Sequence, residues 1–175
     1  KFSEITEIET INNEIHVLTK KESQPFQNKE SDEQVFVNSD TIFEPEAIFA
    51  STAYLESDIY RLTRGTHLAA LVDQEGKLAA QIVDVGRHNA VDKAVGAAFL
   101  QGLDISKHYI LSTGRQPAYM VTKAARAGIP LIATKAMPFD SGVQAAKKAN
   151  VCLVGQLRKE SMLIFANEWR VKAQK

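Results

Sequence analysis

The sequence predicts an α/β fold, a largely parallel sheet with helices on both faces, preceded by a short β-hairpin. Three observations predict it. From residue 67 onward, short apolar strand-like runs alternate with stretches of helical period. Glycines stand where helices should end, at Gly102 and Gly128. A polar turn, Gln74-Glu75-Gly76-Lys77, separates two apolar runs and reads as a hairpin.

Each element has its own reason. Residues 4–10 and 14–19 are β-like, with Asn12-Asn13 as the turn between them. Residues 20–34 (KKESQPFQNKESDEQ) are polar and charged and read as a linker or loop. The chain therefore divides into residues 1–34, a partial N-terminal β segment and charged linker, and residues 35–175, the α/β domain. Ser39 or Asp40 is placed to cap a helix over 44–62, where Pro45 suits the first turn. Its apolar positions Ile48, Phe49, Tyr54, Leu55, Ile59 and Leu62 recur at helical spacing. Strands at 67–73 and 78–83 flank the polar turn. There follow a helix over 89–101, a strand 108–112, a helix 116–127, a strand 130–134, a helix 140–149, a strand 151–156 and a last short strand 162–166. No internal repeat is visible.

The 175 residues suffice for one domain with a real core, and 45% hydrophobic with 24% charged residues is ordinary for a globular protein. No apolar run approaches the roughly 20 residues that cross a bilayer, so no membrane partner is expected. The start, Lys1-Phe2-Ser3-Glu4, has no apolar signal-peptide region. A single cysteine, Cys152, forms no internal disulfide framework and fits a reducing, cytoplasmic compartment. The zero net charge hides an asymmetry. Residues 1–60 hold 4 Lys+Arg against 13 Asp+Glu, a balance of −9, and residues 61–175 hold 17 against 8, a balance of +9. Either the two parts neutralise one another or the basic part receives an anionic ligand. The basic residues are scattered and form no aromatic-rich stripe, which argues against nucleic acid.

Three strand-to-helix corners follow in order: Val83 to Asn89, Ser112 to Pro117, and Thr134 to Gly142. If the strands run parallel, these corners share the edge of the sheet where ligands bind in open α/β folds. The first corner sets Gly86, Arg87, His88 and Asn89 beside Asp84 and Asp92, more polar chemistry than packing needs. The second, Ser112-Thr113-Gly114-Arg115-Gln116, looks like a phosphate or carboxylate cradle, although it lacks P-loop spacing. Two arginines on neighbouring corners can grip one anion. If Gly114 occupies the left-handed backbone region, a branched residue there would destroy the turn. Gly65 and His67 lead into the strand hairpin that delivers Asp84, so His67 is either a structural side chain or a neighbour of His88. In the third corner Ser141 either binds a polar ring edge, with Met137 and Phe139 closing over a flat ring, or shares with Asp140 the task of capping the next helix.

Other chemistries lack their parts. Cys152 stands in an apolar strand and reads as buried and inert. A zinc deaminase needs a His or Cys with Glu two residues on, then a PCxxC pair, and neither is present. No G-x-S-x-G elbow exists for Ser-His-Asp chemistry.

Taken together, Thr63 to Asp73 (TRGTHLAALVD), Asp84 to Lys93 (DVGRHNAVDK), Ser112 to Pro130 (STGRQPAYMVTKAARAGIP) and, more loosely, Val151 to Phe165 resemble the formate dehydrogenase accessory protein (FdhD-like) family. The resemblance covers about residues 36–175, and the first hairpin looks like the end of that family's smaller N-terminal domain. It implies a three-layer, cytidine-deaminase-like α/β fold that has lost zinc. It implies a sulfurtransferase, or sulfur carrier, that takes persulfide sulfur from a cysteine desulfurase. The sulfur passes to the bis-guanine-dinucleotide molybdenum cofactor for formate dehydrogenase, and GDP would mimic that cargo. A homodimer is also implied. The residues that would hold the guanine nucleotide are Gly65, His67, Asp84, Gly86, Arg87, His88, Asn89, Ser112, Gly114, Arg115, Met137 and Ser141, with Val85 and Phe139 flanking a ring.

The chain departs from the family twice. The CxxC loop that carries sulfur should fall between the strands near Leu18 and Val35, where only the charged segment 20–34 stands. The catalytic cysteine is therefore not in this sequence. Arg64 replaces a usual glycine, which removes backbone freedom and adds a cation near the site. Two functions of different class follow: a sulfur carrier, or a non-catalytic nucleotide- or cofactor-binding chaperone without the cysteine loop. A divergent deaminase-like hydrolase is disfavoured by the missing zinc ligands.

Overall fold

Alternating residues in the first segment pair as expected. In the computed structural model, which describes residues 5–11, 14–19 and 35–173, the chain forms two units, residues 1–33 and 34–175. In the first, β1 (Ile5–Ile11) runs antiparallel to β2 (Glu14–Thr19), from Ile5 opposite Thr19 to Ile11 opposite Glu14. The turn at Asn12-Asn13 and the charged segment 20–34 lie outside the described residues.

The second unit begins its helices with α1 (Pro45–Ala50), a 3-10 turn over Ser51–Leu55, and α2 (Asp58–Thr63). The hairpin follows as β3 (His67–Asp73) and β4 (Leu78–Asp84). Then come α3 (Arg87–Leu100), β5 (His108–Ser112), α4 (Ala118–Ala127), β6 (Leu131–Thr134), α5 (Asp140–Ala149), β7 (Cys152–Gly155) and β8 (Leu163–Ala166). The six strands order as β4-β3-β5-β6-β7-β8, with β5, β6 and β7 parallel and the remaining pairs antiparallel. Because β3 runs against both of its neighbours, β4 points the same way as β5, β6 and β7. All three predicted corners therefore open on one edge of the sheet.

Period-two burial sorts the sheet into two cores. On one face Ala69, Leu71, Ile110, Ile132 and Leu153 meet the small or slender residues Ala90 and Ala94 of α3, Val121 and Ala124 of α4, and Ala146 of α5. On the other, Leu68, Ala70, Tyr109, Leu111, Leu131 and Val154 meet Phe43, Ile48, Leu55 and Val171. Helices thus cover both faces, as the pattern predicts, in three layers. Gly128 takes a left-handed backbone (φ 88°) as the C-cap of α4, the role its position predicts.

One predicted element is corrected. The helix expected over 44–62 is interrupted: Glu56 is extended, and the Ser57 side chain accepts the Tyr60 N–H to start α2 afresh. A local side-chain cap here outcompetes helical propagation. Ile48 and Leu55 are buried, but Ile59 and Leu62 are exposed despite sharing the period. Ser39 and Asp40 cap nothing, since α1 starts at Pro45 after an uncapped Glu44 and the Ser39 hydroxyl donates to Ser106 O instead. Among the described residues no helix is long and apolar enough to cross a membrane.

Candidate functional site

The β4–α3 corner is built around one carboxylate. Asp84 Oδ1 accepts the Gly86 N–H at 2.8 Å and the Asn89 side-chain amide at 3.3 Å, while Oδ2 takes Lys93 Nζ at 2.5 Å. The Lys93 hydrogen bond, then the Gly86 N–H, hold the Asp84 carboxyl below its usual range. Asp84, Gly86 and Asn89 therefore spend their polar atoms on the turn, and this turn launches α3 at Arg87, two residues earlier than predicted. Arg87 and His88 make no bond to this carboxylate.

The β5–α4 corner is equally self-satisfied. Ser112 Oγ accepts the Gly114 N–H at 3.1 Å. The Gly114 carbonyl accepts Gln116 Nε2 and Thr134 Oγ1, each at 2.8 Å. Thr113 Oγ1 accepts the Leu68 N–H at 3.0 Å and lies 3.2 Å from His67 Nδ1, which ties the start of β3 to this corner. The predicted reason for Gly114 is corrected. Its backbone is not in the left-handed region, which among the described glycines holds only Gly76, Gly102 and Gly128. It is glycine because Arg87 lies against it: an added Cβ would stand 2.9 Å from both Cβ and Cδ of Arg87.

The corners lock together in sequence. The Arg87 stem covers Gly114, and its Nη2 donates to the Tyr119 hydroxyl at 3.1 Å in the first turn of α4. The Arg115 guanidinium lies 4.9 Å from the centre of the Phe139 ring in the third corner. The Gln116 carbonyl accepts the Phe139 N–H at 3.2 Å. Neither Asp140 nor Ser141 caps α5, whose N-cap position is Phe139 without a side-chain bond, so Ser141 is an exposed hydroxyl on this rim. Val85, Met137 and Phe139 expose 77%, 48% and 40% of their surface along the same edge, an apolar lip beside two cations. Gly65 leads into β3 with ordinary space around its Cα.

What the edge offers is unspent cation. Among the described residues neither Arg87 nor Arg115 pairs with a carboxylate, whereas Lys93 and Lys123 are bound to Asp84 and Asp92. Arg87 Nε, His88 Nε2 and Thr66 Oγ1 are buried without hydrogen-bond partners. A buried polar atom without a partner calls for an explanation, and an absent water or ligand is one of them. The described residues contain no group of three or more His, Cys, Asp or Glu placed to hold a metal ion. Two cavities, of about 520 and 450 Å³, take no lining residue from the first two corners, and the larger takes Lys135 from the third.

Tyr119 is the site residue that sequence reasoning missed. It receives Arg87 and meets the His88 ring edge-on at 5.0 Å. The available signal was an aromatic residue one turn after the Ser-Thr-Gly-Arg corner.

Both histidines titrate below their ordinary range. Burial, then the Arg87 guanidinium, pull the His67 imidazole below its ordinary 6.5. At His88 burial leads, Arg87, Lys123 and His67 add to it, and Asp92 opposes. The unfolded chain then binds more protons than the folded one as pH falls below 6.5. Stability should decline from there toward the folded values and stop declining from this source below them. The urea midpoint should be lower at pH 5.5 than at 7.5, and His88→Gln should flatten that slope; identical midpoints in the parent protein would refute the assignment. Asp84 titrates in a lower range, below its ordinary 3.8, and leaves this window clear.

Comparison with known proteins gives a consistent outcome. The model of the FdhD/NarQ family matches residues 6–172. The chain is 38% identical over 113 residues to a sulfur carrier protein FdhD of Methanothermobacter thermautotrophicus, covering 65% of this chain and 45% of the relative. It is 42% identical over 114 residues to that of Streptomyces avermitilis, covering 65% and 40%. The match to the Thermoplasma acidophilum protein of the same name is 32% over 137 residues, covering 77% and 49%. The chain thus spans about half or less of the length of these relatives. Among solved structures, a formate dehydrogenase accessory protein from Desulfotalea psychrophila superposes with a TM-score of 0.79 at 28% identity, covering 98% of this chain and 72% of that one.

Proposed function

The chain belongs to the FdhD/NarQ family, and from that premise we propose that it serves formate dehydrogenase maturation as an accessory sulfur carrier, with the corner edge as its seat for the guanine nucleotide of the molybdenum cofactor. The observation that carries the nucleotide part is the pair of uncompensated arginines, Arg87 and Arg115, on corners locked to one another beside exposed Val85, Met137 and Phe139. Guanidinium groups suit phosphate oxygens, and an exposed apolar lip suits a flat ring. His67, His88 and Ser141 supply donors and acceptors, which fit the polar edges of a ring or sugar. Asp84, Gly86, Asn89, Ser112 and Gly114 shape the corners rather than touch the ligand.

In this reading the terminal sulfur of a cysteine desulfurase persulfide passes to a thiolate of the carrier, and the desulfurase thiolate is released. Cys152 does not fit that thiolate. It is fully buried in β7, and burial pushes its thiol up to about 12. A carrier thiol must be exposed and ionisable. This observation favours a second reading, in which the chain holds the cofactor for a client enzyme without itself carrying sulfur. The homodimer, the cytoplasmic setting and the desulfurase partner belong to the proposal on the strength of the family alone.

Two measurements test it. GDP should bind saturably in calorimetry at low salt and more weakly as salt rises; no heat at any salt would overturn the nucleotide seat. Incubation with a cysteine desulfurase and free cysteine, followed by intact-mass measurement, separates the two readings. A gain of one sulfur marks a carrier; an unchanged mass leaves the cofactor-holding reading.

A further inference from the structure

The cavity of about 520 Å³ lies on the face of the sheet covered by α1, whereas α3, α4 and α5 cover the other face. Its size falls within the roughly 300–1,000 Å³ of small-molecule sites. Phe49, Ala53 and the buried Leu157 give it an apolar lining. Its charged wall comes from two loops, one after β6 and one after β7. These loops are bonded together: Leu157 N–H donates to Thr134 O at 3.0 Å and Gln156 N–H to Ala136 O at 3.1 Å. The same frame fixes Arg158, whose Nη1 donates to the carbonyls of Lys135 and Leu157, both at 2.9 Å. Lys135 and Lys159 stand on the same wall.

The charge balance of this cavity is unusual. Three cations line it against one carboxylate, Glu56, which Lys135 reaches at 3.3 Å across the opening. Arg158 and Lys159 have no carboxylate partner among the described ion pairs. Glu160, the next residue, lines the neighbouring cavity instead. Two positive charges therefore remain beside an apolar pocket, which matches a phosphate monoester dianion better than a single carboxylate.

We propose that this cavity is a second ligand site, distinct from the residues of the nucleotide seat, for a small phosphate monoester with an apolar ring. The ring lies against Phe49 and Leu157, and the phosphate meets Arg158, Lys159 and Lys135. Glu56 competes with the phosphate for Lys135 and so moderates affinity. The inference does not depend on the nucleotide seat, because none of the residues assigned to that seat lines the cavity, although Lys135 stands in the third corner two residues before Met137.

1-Naphthyl phosphate is a suitable probe, read by its fluorescence with the full chain at pH 7.5. With excess GDP present to occupy the corner edge, one equivalent should bind saturably. Arg158→Gln with Lys159→Gln should weaken it at least about tenfold, the scale of a lost charged hydrogen bond. Ala53→Trp, which fills the pocket and keeps every cation, should weaken it as much. Glu56→Gln should tighten it about two- to fivefold by releasing Lys135, a gain that a misfolded variant cannot imitate. Arg87→Ala should leave it unchanged. The site is refuted if the parent protein shows no saturable binding, if Arg87→Ala abolishes binding while the cavity variants do not, or if inorganic phosphate competes equally well and Ala53→Trp has no effect. GDP binding at the corners is measured separately, so failure of either reading leaves the other standing.

Discussion

Gly142→Ala is expected to cost the domain about 3 kcal/mol of stability, near the upper end of what overpacking a close contact usually costs. A Cβ added at Gly142 would fall inside the contact shell of the Gln116 carbonyl oxygen and close to the Gln116 and Pro117 backbone. The obstacle is backbone, so no side-chain rotation relieves it. That carbonyl also accepts the Phe139 N–H, so the second and third corners must separate to admit a methyl group. The same shift moves Arg115 off the Phe139 ring. Urea denaturation should show the midpoint drop with an unchanged slope, and calorimetry should show weakened GDP binding in the fraction that stays folded. Gly96→Ala is the matched control, because a Cβ there meets open space, and alanine in a helix interior should raise stability by about 0.5–1 kcal/mol. Equal stability of Gly142→Ala and the parent chain would mean that this close approach is not a real constraint on the edge.

Much of this architecture was legible because it is local. Alternation of strands with helical periods gave β3, β5 and α5 at their observed bounds and the remaining sheet elements within two residues. The placing of all three corners on one edge followed once β4, β5 and β6 were read as sharing a direction. What sequence could not supply is the means of that sharing: β3 inserts antiparallel between β4 and β5, a pairing fixed by tertiary contacts. The 44–62 stretch failed for the opposite reason. Its period was convincing, yet one cap at Ser57 and an extended Glu56 broke the helix and left Ile59 and Leu62 exposed. Arg64 shows how a departure from a family pattern can be absorbed. It holds a left-handed backbone (φ 53°) as the C-cap of α2, and its guanidinium turns back over the Tyr60 ring at 5.3 Å rather than toward the corners. At the site, residue types were legible and roles were not. Nothing in a linear reading distinguishes Asp84, which organises a turn, from Arg87, which the turn presents, and the Gly114–Arg87 contact spans two corners.

Arg87→Ala should weaken GDP binding by about 1.5–3 kcal/mol, the scale of hydrogen bonds to a charged group, and Arg115→Ala should do the same. The two variants should differ in their side effects. Arg87 packs its stem on Gly114, donates to Tyr119 and acts on both imidazoles through its charge, so its removal unpacks the joint between the first two corners. Removing its charge also takes away a cause that holds His67 and His88 low, and both should titrate nearer 6.5 in the variant. Arg115 is exposed and touches only the Phe139 ring among the described contacts, so its loss should leave both histidines as they were. Proton NMR of the imidazoles through a pH series reads this difference without any ligand. Tyr119→Phe should fall between them, losing the hydroxyl that orients Arg87 while keeping the ring against His88. If Arg87→Ala and Arg115→Ala both bind GDP as tightly as the parent chain, the corner edge is not the nucleotide seat. If GDP affinity falls but the imidazoles do not move in Arg87→Ala, the arginine binds the anion without setting the charge state of its neighbours.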